Sequence, residues 1–484
     1  MQRKTSLPGN YLPDMIRGRS AGPDRHMKKQ LIADDKNNRT YLILPAVALL
    51  RMGLTILMIA VLSGKGCAQD MVKDNTVVWD LETCIRYARQ HNIALKRREL
   101  DQRTSEQELI LSRAARTPDL YASATQFINH SNSVAAGQSK TYSSGDYGLN
   151  STWTLFRGGY LKNDIREKDL QVESGGLTLL QQDNDITLQI IQLYLNALLD
   201  KENIVYAQSL VSTSAAQVEQ ARQKLSAGGI ARKDLMQLEA QLANDQYLLI
   251  SSENAQRQDL VGLKQLLQLS TATRLDIAVM DISPPSEVPE DMSAVQQQAL
   301  NNRPEVKNAS LGIAIANTGL EKARAGYLPT LTFSGSVSLG YAGTSPGWPR
   351  QLSNNFSQQA GVTLSVPIFT RKLNAVNVAE ARIGVERAKL DLADTKTELS
   401  LAIERIYNNL ISAQNQFKAA TASFSYNGET YRVAVEQLRT GLINMVEFLQ
   451  QKALFVQVQQ QFLQAKYTAA LTQRIYEFYK ENRK

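Results

Sequence analysis

Pro329-Thr-Leu-Thr-Phe-Ser-Gly-Ser-Val-Ser-Leu-Gly-Tyr341 alternates large apolar residues with small uncharged ones. Leu331, Phe333, Val337, Leu339 and Tyr341 take one parity; Thr332, Ser334, Ser336 and Ser338 take the other. A period of two belongs to a β-strand, whose successive side chains point to opposite faces. The same pattern returns where Val362, Leu364, Val366 and Ile368 alternate with Gly361, Thr363, Ser365 and Pro367. Earlier in the chain, Tyr147, Leu149, Trp153 and Leu155 alternate with Gly148, Asn150, Thr152 and Thr154. Residues 120–130 alternate less clearly, with Tyr121 and Phe127 on one side. Two hairpins are expected, 118–156 and 329–369, with polar loops at Ser131 to Tyr142 and Ala342 to Asn355.

The polar parity is small and uncharged, as a water-facing lumen requires, and the strands are long enough to cross a bilayer tilted. The competing reading is a soluble antiparallel sheet covered by a helix, but the strands come as two separated hairpins and no nearby amphipathic helix is free to cover them. Four strands cannot close a membrane barrel, for which about eight is the practical minimum. Open edges cannot sit in lipid, because their backbone groups would go unpaired. Several chains must therefore contribute, and three with four strands each close a barrel of twelve.

The two hairpins belong to two matching halves. Ile186-Thr-Leu-Gln-Ile-Ile-Gln-Leu-Tyr-Leu-Asn aligns with Leu399-Ser-Leu-Ala-Ile-Glu-Arg-Ile-Tyr-Asn-Asn at an offset of 213. That offset also carries Phe156 onto Phe369, Gly228 onto Gly441 and Asp234 onto Glu447. Nearer the start of each half it is 211, carrying Ala88 onto Ala299 and Pro118 onto Pro329. Each half thus reads as a short helical region, two strands, a very long helix, a glycine turn and a returning helix. Asp281-Ile-Ser-Pro-Pro-Ser-Glu-Val-Pro-Glu between them reads as an extended linker.

After Phe156, residues 158–225 lack proline, and so do 371–438 after Phe369. A helix of that length is about 100 Å long. Apolar residues at 399, 403, 406 and 410 follow the four-and-three spacing of a heptad. Leu235, Leu242 and Leu249 keep step in one returning helix, and Phe448, Phe455 and Phe462 in the other. Gly175-Gly176 is a local weakness in the first long helix. Gln, Asn and Ser populate the other faces, which suits helices packed side by side in a hollow wall. The expected fold is mainly α with β: α-helical hairpins forming an α-barrel, joined to strands of a shared transmembrane β-barrel.

The expected organisation is a leader at 1–68, an equatorial and helical segment at 69–117, a first β-hairpin at 118–156 and a first α-hairpin at 157–270. A linker and second equatorial segment follow at 271–328, then a β-hairpin at 329–369, an α-hairpin at 370–466 and a tail at 467–484. The formal charge of +8 comes from 54 Lys+Arg against 46 Asp+Glu. The leader holds 11 and 4 of these, leaving 43 against 42, so the body carries no nucleic-acid footprint. Lys28, Lys29, Arg39 and Arg51 precede the apolar run Met52 to Leu62, and Gly66-Cys67-Ala68 offers a signal-peptidase site. An uncleaved anchor is the alternative, as is lipidation at Cys67, which Lys65 disfavours. Met27 is a second candidate start. Cleavage before Gln69 leaves Cys84 as the sole thiol. His26, His91 and His130 lie apart, no metal-ligand spacing or phosphate loop is present, and neither enzyme activity nor a cofactor is expected. His91 reads as a helix-capping residue.

The sequence resembles the TolC family of outer-membrane efflux proteins over nearly all of residues 79–470. The resemblance rests on Tyr327-Leu-Pro-Thr-Leu with its echo Thr117-Pro-Asp-Leu, Val366-Pro-Ile-Phe with its echo Thr154-Leu-Phe-Arg-Gly-Gly, and the turns Ala227-Gly-Gly-Ile-Ala-Arg-Lys-Asp-Leu and Thr440-Gly-Leu-Ile-Asn-Met-Val-Glu-Phe. It implies a homotrimer in outer-membrane lipid, extending into the periplasm, with a periplasmic adaptor protein and an inner-membrane pump as partners. Gly228, Ile230 and Leu235, with Gly441, Ile443 and Phe448, would form the adaptor-docking tip. Asp234 and Glu447 match the family's pore-gate acids; Gln450 stands where a further acid is usual. The basic and tyrosine partners of the family's closed gate fall on Ile443 and Leu438, so those links are missing, and Arg232 or Lys233 is the nearest substitute. The implied function is passive export of small molecules, with one-step protein secretion as the alternative.

Overall fold

The computed structural model describes residues 77–133, 138–280, 291–343 and 355–480. The leader, Cys67, the linker at 281–290 and the hairpin ends at 134–137 and 344–354 lie outside the described residues. The first half runs β1 (Val77–Trp79), α1 (Leu81–His91), α2 (Ile93–Ala114), β2 (Tyr121–Ser133), β3 (Gln138–Arg157), α3 (Tyr160–Ser226) and α4 (Arg232–Leu267). The second runs β4 (Leu275–Ile277), α5 (Met292–Asn302), α6 (Pro304–Arg324), β5 (Thr330–Gly343), β6 (Phe356–Ser365), α7 (Leu373–Thr440) and α8 (Met445–Lys480).

The duplication extends to the hydrogen bonding of the sheet. Tyr121 stands opposite Asn150 in the first hairpin, and Thr332 opposite Thr363 in the second. Offsets of 211 and 213 convert one pair into the other. They also carry α1 onto α5 and α4 onto α8, end for end.

β2, β3, β5 and β6 form one antiparallel sheet in that order. Directly opposed residues share a face. Trp153, Phe333 and Val362 therefore lie side by side, as do Leu149 with Val337 and Tyr147 with Leu339, building one apolar face. Asn150 with Ser336, and Ser334 with Gly361, build the polar one. Tyr121 and Phe127 oppose Asn150 and Ser144, so in β2 these aromatics stand on the polar face while Ala122, Ala124 and Ile128 continue the apolar one. Leu155 is the extra residue of a β-bulge, which brings Phe156 rather than Leu155 opposite Leu331. At the far end, a Cβ on Gly145 would stand 2.6 Å from the Tyr341 ring, so glycine lets that ring lie across the strand. Gln126 donates there to the Tyr341 and Ser143 hydroxyls, 2.7 Å each.

The strands outrun the sequence reading. β2 continues to Ser133 and β3 begins at Gln138, so most of the stretch expected as a loop from Ser131 to Tyr142 is paired. α8 continues unbroken to Lys480, into the residues expected as a tail, burying Tyr467, Tyr476 and Phe478. α3 also passes Gly175-Gly176 without a break, with Gln102 of α2 packed beside them.

Each half centres on its long helix. Ile190, Tyr194, Leu195 and Leu198 of α3 meet Leu263 and Leu267 of α4, Cys84 of α1 and the parallel ribbon β1–β4. The Tyr194 hydroxyl donates to Ala278 O at 2.8 Å. Burial pushes the Cys84 thiol up to about 12, so it stays a protonated packing group. The sister core holds Ile403 and Leu410 of α7 with Val295, Ala299 and Tyr476. Asn92 starts α2: its Oδ1 accepts from Ala94 N and Leu95 N, and its Nδ2 donates to Leu266 O. His91 is not the cap; its Nδ1 donates to Tyr87 O while its ring stacks on Tyr87 at 4.0 Å.

Leu263 is fully buried and Val261 is 63% exposed on the same helix. Leu263→Ala should cost about 2–5 kcal/mol and lower the thermal midpoint. Val261→Ala should stay within about 0.5 kcal/mol of the parent in the same melts.

Candidate pore gate and docking tip

Both long helices reverse at a glycine. Gly228 and Gly441 have φ of +73° and +78°, the left-handed region where a Cβ is strained. Gly441 closes α7 with a backbone bond to Leu438 O, and Leu442 N donates to Gln437 O, a Schellman-type end. Asn444 then starts α8, its Oδ1 accepting from Glu447 N at 3.0 Å. On the other hairpin Asp234 N bonds Ala231 O at 3.0 Å. Asp234 and Glu447 thus occupy the first turns of α4 and α8, where a helix dipole favours a negative charge.

Asp234 is half-buried, while Glu447 and Gln450 are exposed. No hydrogen bond or ion pair joins these side chains to one another, or to Arg232 or Lys233, among the described residues. Gly228 and Gly441 are exposed, as are Leu442 at 76% and Met236 at 59%. The remaining tip residues turn inward. Ile230 and Leu235 pack on Val218, Ala221 and Leu238, and Met445 and Leu449 of the other hairpin join that cluster. Ile443 is half-buried. Phe448 is wholly buried, with its ring 6.0 Å from that of Tyr431.

Phe448 opens an aromatic ladder. Phe455 stacks between Tyr431 and Phe424, and Phe462 between Phe424 and Phe417, at centroid distances of 4.8 to 5.9 Å. Residues 417, 424 and 431 repeat every seven positions, as do 448, 455 and 462; the second set was visible as a seam, its facing partners less so.

The sequence reading missed an ion pair beside this ladder. Lys452 of α8 is fully buried, donating to Asp245 Oδ2 of α4 at 2.7 Å and to Ser214 Oγ of α3 at 2.5 Å. Ser214 also donates to Asp245, and Gln241 Nε2 donates to the other Asp245 oxygen at 2.8 Å. Both charges are compensated, as burial demands. Burial, and after it the Asp245 carboxylate, push the Tyr431 phenol above its ordinary value. The signal was positional: Lys452 falls four after Phe448 and three before Phe455, and Asp245 three after Leu242 and four before Leu249. Both sit on seams otherwise apolar.

The model for the outer membrane efflux protein family matches residues 84–268 and 295–474, one segment in each half. The chain belongs to the outer membrane efflux protein family. As a member of it, the chain is 22% identical over 266 residues to the alkaline protease secretion protein AprF of Pseudomonas aeruginosa, covering 54% of this chain and 51% of AprF. It is 23% identical over 305 residues to the outer membrane protein TolC of Vibrio cholerae, covering 62% of this chain and 67% of TolC. The matched stretch thus spans about half of AprF and two thirds of TolC. The fold is that of the Campylobacter jejuni CmeC outer membrane channel, with a TM-score of 0.69 at 16% identity over 83% of this chain and 85% of that one.

Lys452→Met alone strands the Asp245 carboxylate and should destabilise the protein by about 3–5 kcal/mol. Lys452→Met with Asp245→Leu should restore most of that loss, as read by thermal unfolding followed by circular dichroism.

Proposed function

We propose that three copies close a twelve-stranded barrel in the outer membrane above an α-helical tunnel, and that the tunnel passes small molecules outward passively. The observation that carries this reading is the four-stranded sheet: among the described residues it has one apolar face without a covering layer, one small polar face, and two open edges at β2 and β6. In lipid that combination is stable only when further copies pair both edges. The energy for export comes from an inner-membrane pump, reached through a periplasmic adaptor protein. No helix among the described residues is long and apolar enough to span a membrane.

The glycine reversals are the adaptor-docking tip. Gly228 and Gly441 allow close approach of a partner helix, Leu442 and Met236 offer it apolar contact, and Ile230, Leu235, Ile443 and Phe448 hold the tips from within. Asp234 and Glu447 form the pore gate: repeated in three copies they make rings of negative charge that favour cations, with Gln450 a neutral third position. A second reading, an outer duct for type I protein secretion, is favoured by the match to AprF, which its name assigns to protease secretion. Deleting the gene separates the two: sensitivity to small toxic compounds supports efflux, and loss of a secreted protein supports secretion.

Purified protein should sediment as a detergent-bound trimer and conduct in planar bilayers. Asp234→Asn with Glu447→Gln should lower the cation-to-anion permeability ratio, measured as the reversal potential across a salt gradient. A ratio equal to that of the parent would remove the gate assignment.

A further inference from the structure

The duplication carries left-handed turns as well as helices, and at one of them the two halves differ in chemistry. Gly158 and Gly159 lead from β3 into α3 with φ of +54° and +82°. The offset of 213 takes them onto Arg371 and Lys372, which lead into α7 with φ of +47° and +68°. Glycine adopts that region without strain, whereas a residue with a Cβ does not. A cation just before a helix also opposes the positive end of the helix dipole. Both costs are retained where the sister half shows that glycine suffices. Strain kept in this way points to a role for the side chains themselves.

Their surroundings narrow that role. β2 begins, β3 ends, β5 begins and β6 ends at the same end of the sheet, the end joined to the helices. There Ile368 is 94% exposed and Phe369 83% exposed. Phe369 is the counterpart of Phe156, which opposes Leu331 on the apolar face. On that same face Trp153 Nε1 donates to Arg116 O at 2.7 Å, which holds Arg116 beside it. Arg116, Arg371 and Lys372 are exposed, and none has an ion-pair partner among the described residues. Cations within the adjoining helices do have partners: Arg113 lies 3.6 Å from Asp169, Lys322 2.7 Å from Asp164 and Arg324 2.6 Å from Glu321. Arg157 shares this end of the sheet but not the face. It opposes Thr330 on the polar parity and lies over the Tyr160 ring at 4.2 Å.

Resting on the membrane reading proposed above, we infer that Arg116, Arg371 and Lys372 bind the phosphate groups of phospholipids in the leaflet at the helical end of the sheet. Ile368, Phe369 and the Trp153 ring enter the acyl region, and the three cations reach the headgroups beside them. An indole at headgroup depth with cations alongside is the pattern of a bilayer boundary. The lipid phosphate supplies the counter-charge that the described residues lack, and a guanidinium fits its oxygens two at a time. These charges do not follow the duplication. Arg116 corresponds to Tyr327, and Arg371 and Lys372 to glycines, so each half places cations at positions of its own yet at the same end of the sheet. Inherited scaffold therefore does not account for them, whereas a shared layer of phosphates does.

The test uses the full-length protein in mild detergent, with dioleoyl phosphatidylglycerol as the probe. Dioleoylglycerol, which has the same chains and no phosphate, is the comparison. Native mass spectrometry should show the first lipid retained and the second lost. Arg371→Gly with Lys372→Gly should weaken retention about 25-fold, about fivefold for each cation. The same double variant should melt no lower than the parent without lipid, because glycine relieves the left-handed strain. Arg116→Gln should weaken retention about fivefold, and Arg157→Gln, on the other face, should leave it within about twofold of the parent. Equal retention of the two lipids, or retention unchanged in the double variant, overturns the proposal. Inorganic phosphate bound as tightly as the lipid would make this a site for the free anion and overturn it too. So would a changed cation-to-anion permeability ratio in the double variant, which would put these cations in the pore. A protein that sediments as a monomer and stays out of membranes overturns instead the reading on which the proposal rests.

Discussion

A strand edge cannot be left bare among acyl chains, because each unpaired N–H or C=O there loses water and gains nothing. That constraint organises this protein. The sheet has an apolar face that needs lipid or a covering layer, and two edges that need partners. No element among the described residues supplies either. Closure with further copies satisfies both demands at once, and it assigns the small polar face, rich in serine and threonine, to the lumen. The bulge at Leu155 and the glycine at 145 are local adjustments within that plan: one re-aims Phe156, and the other lets a tyrosine ring lie over the neighbouring strand.

The long hairpins obey a different economy of contacts. Midway along the long helices, each hairpin packs in an aliphatic core, one around Ile190 and one around Ile403. Toward the tips the two hairpins are joined by a small apolar cluster and by a buried polar group, Lys452 with Asp245 and Ser214, one residue from each of three helices. An aliphatic contact tolerates sliding, whereas a buried ion pair has one geometry in which both charges are satisfied. The two hairpins are thereby fixed in alignment toward the ends where Asp234 and Glu447 begin their helices. The aromatic ladder beside it, running from Phe448 to Phe417, gives α7 and α8 the same kind of register.

Legibility varied with the range of the interaction. The strand parity, the helix lengths and the two offsets are periodic, and periodicity survives without knowledge of what lies opposite. The glycine reversals were legible because a left-handed residue has few substitutes. The parallel ribbon of Val77–Trp79 with Leu275–Ile277 was not, since three-residue strands carry no usable period. Phe448 illustrates the limit at the tip: its number along the seam was evident, but the ring that buries it, Tyr431, sits on another helix. Lys452 and Asp245 stood at seam positions where a charge is costly, yet nothing local identifies each as the other's counter-ion.

The sequence by itself determined the duplication, the alternation that gives the sheet a wet and a greasy face, and the pair of very long helices, because each is a local pattern repeated along the backbone. Only the tertiary structure decided that β3 pairs with β5, that the hairpins are pinned by a lysine 207 residues from its aspartate, and that Tyr121 stands on the polar face of the sheet. Those are contacts between segments far apart in the chain, and their energy depends on which surfaces meet, a quantity that no single segment encodes.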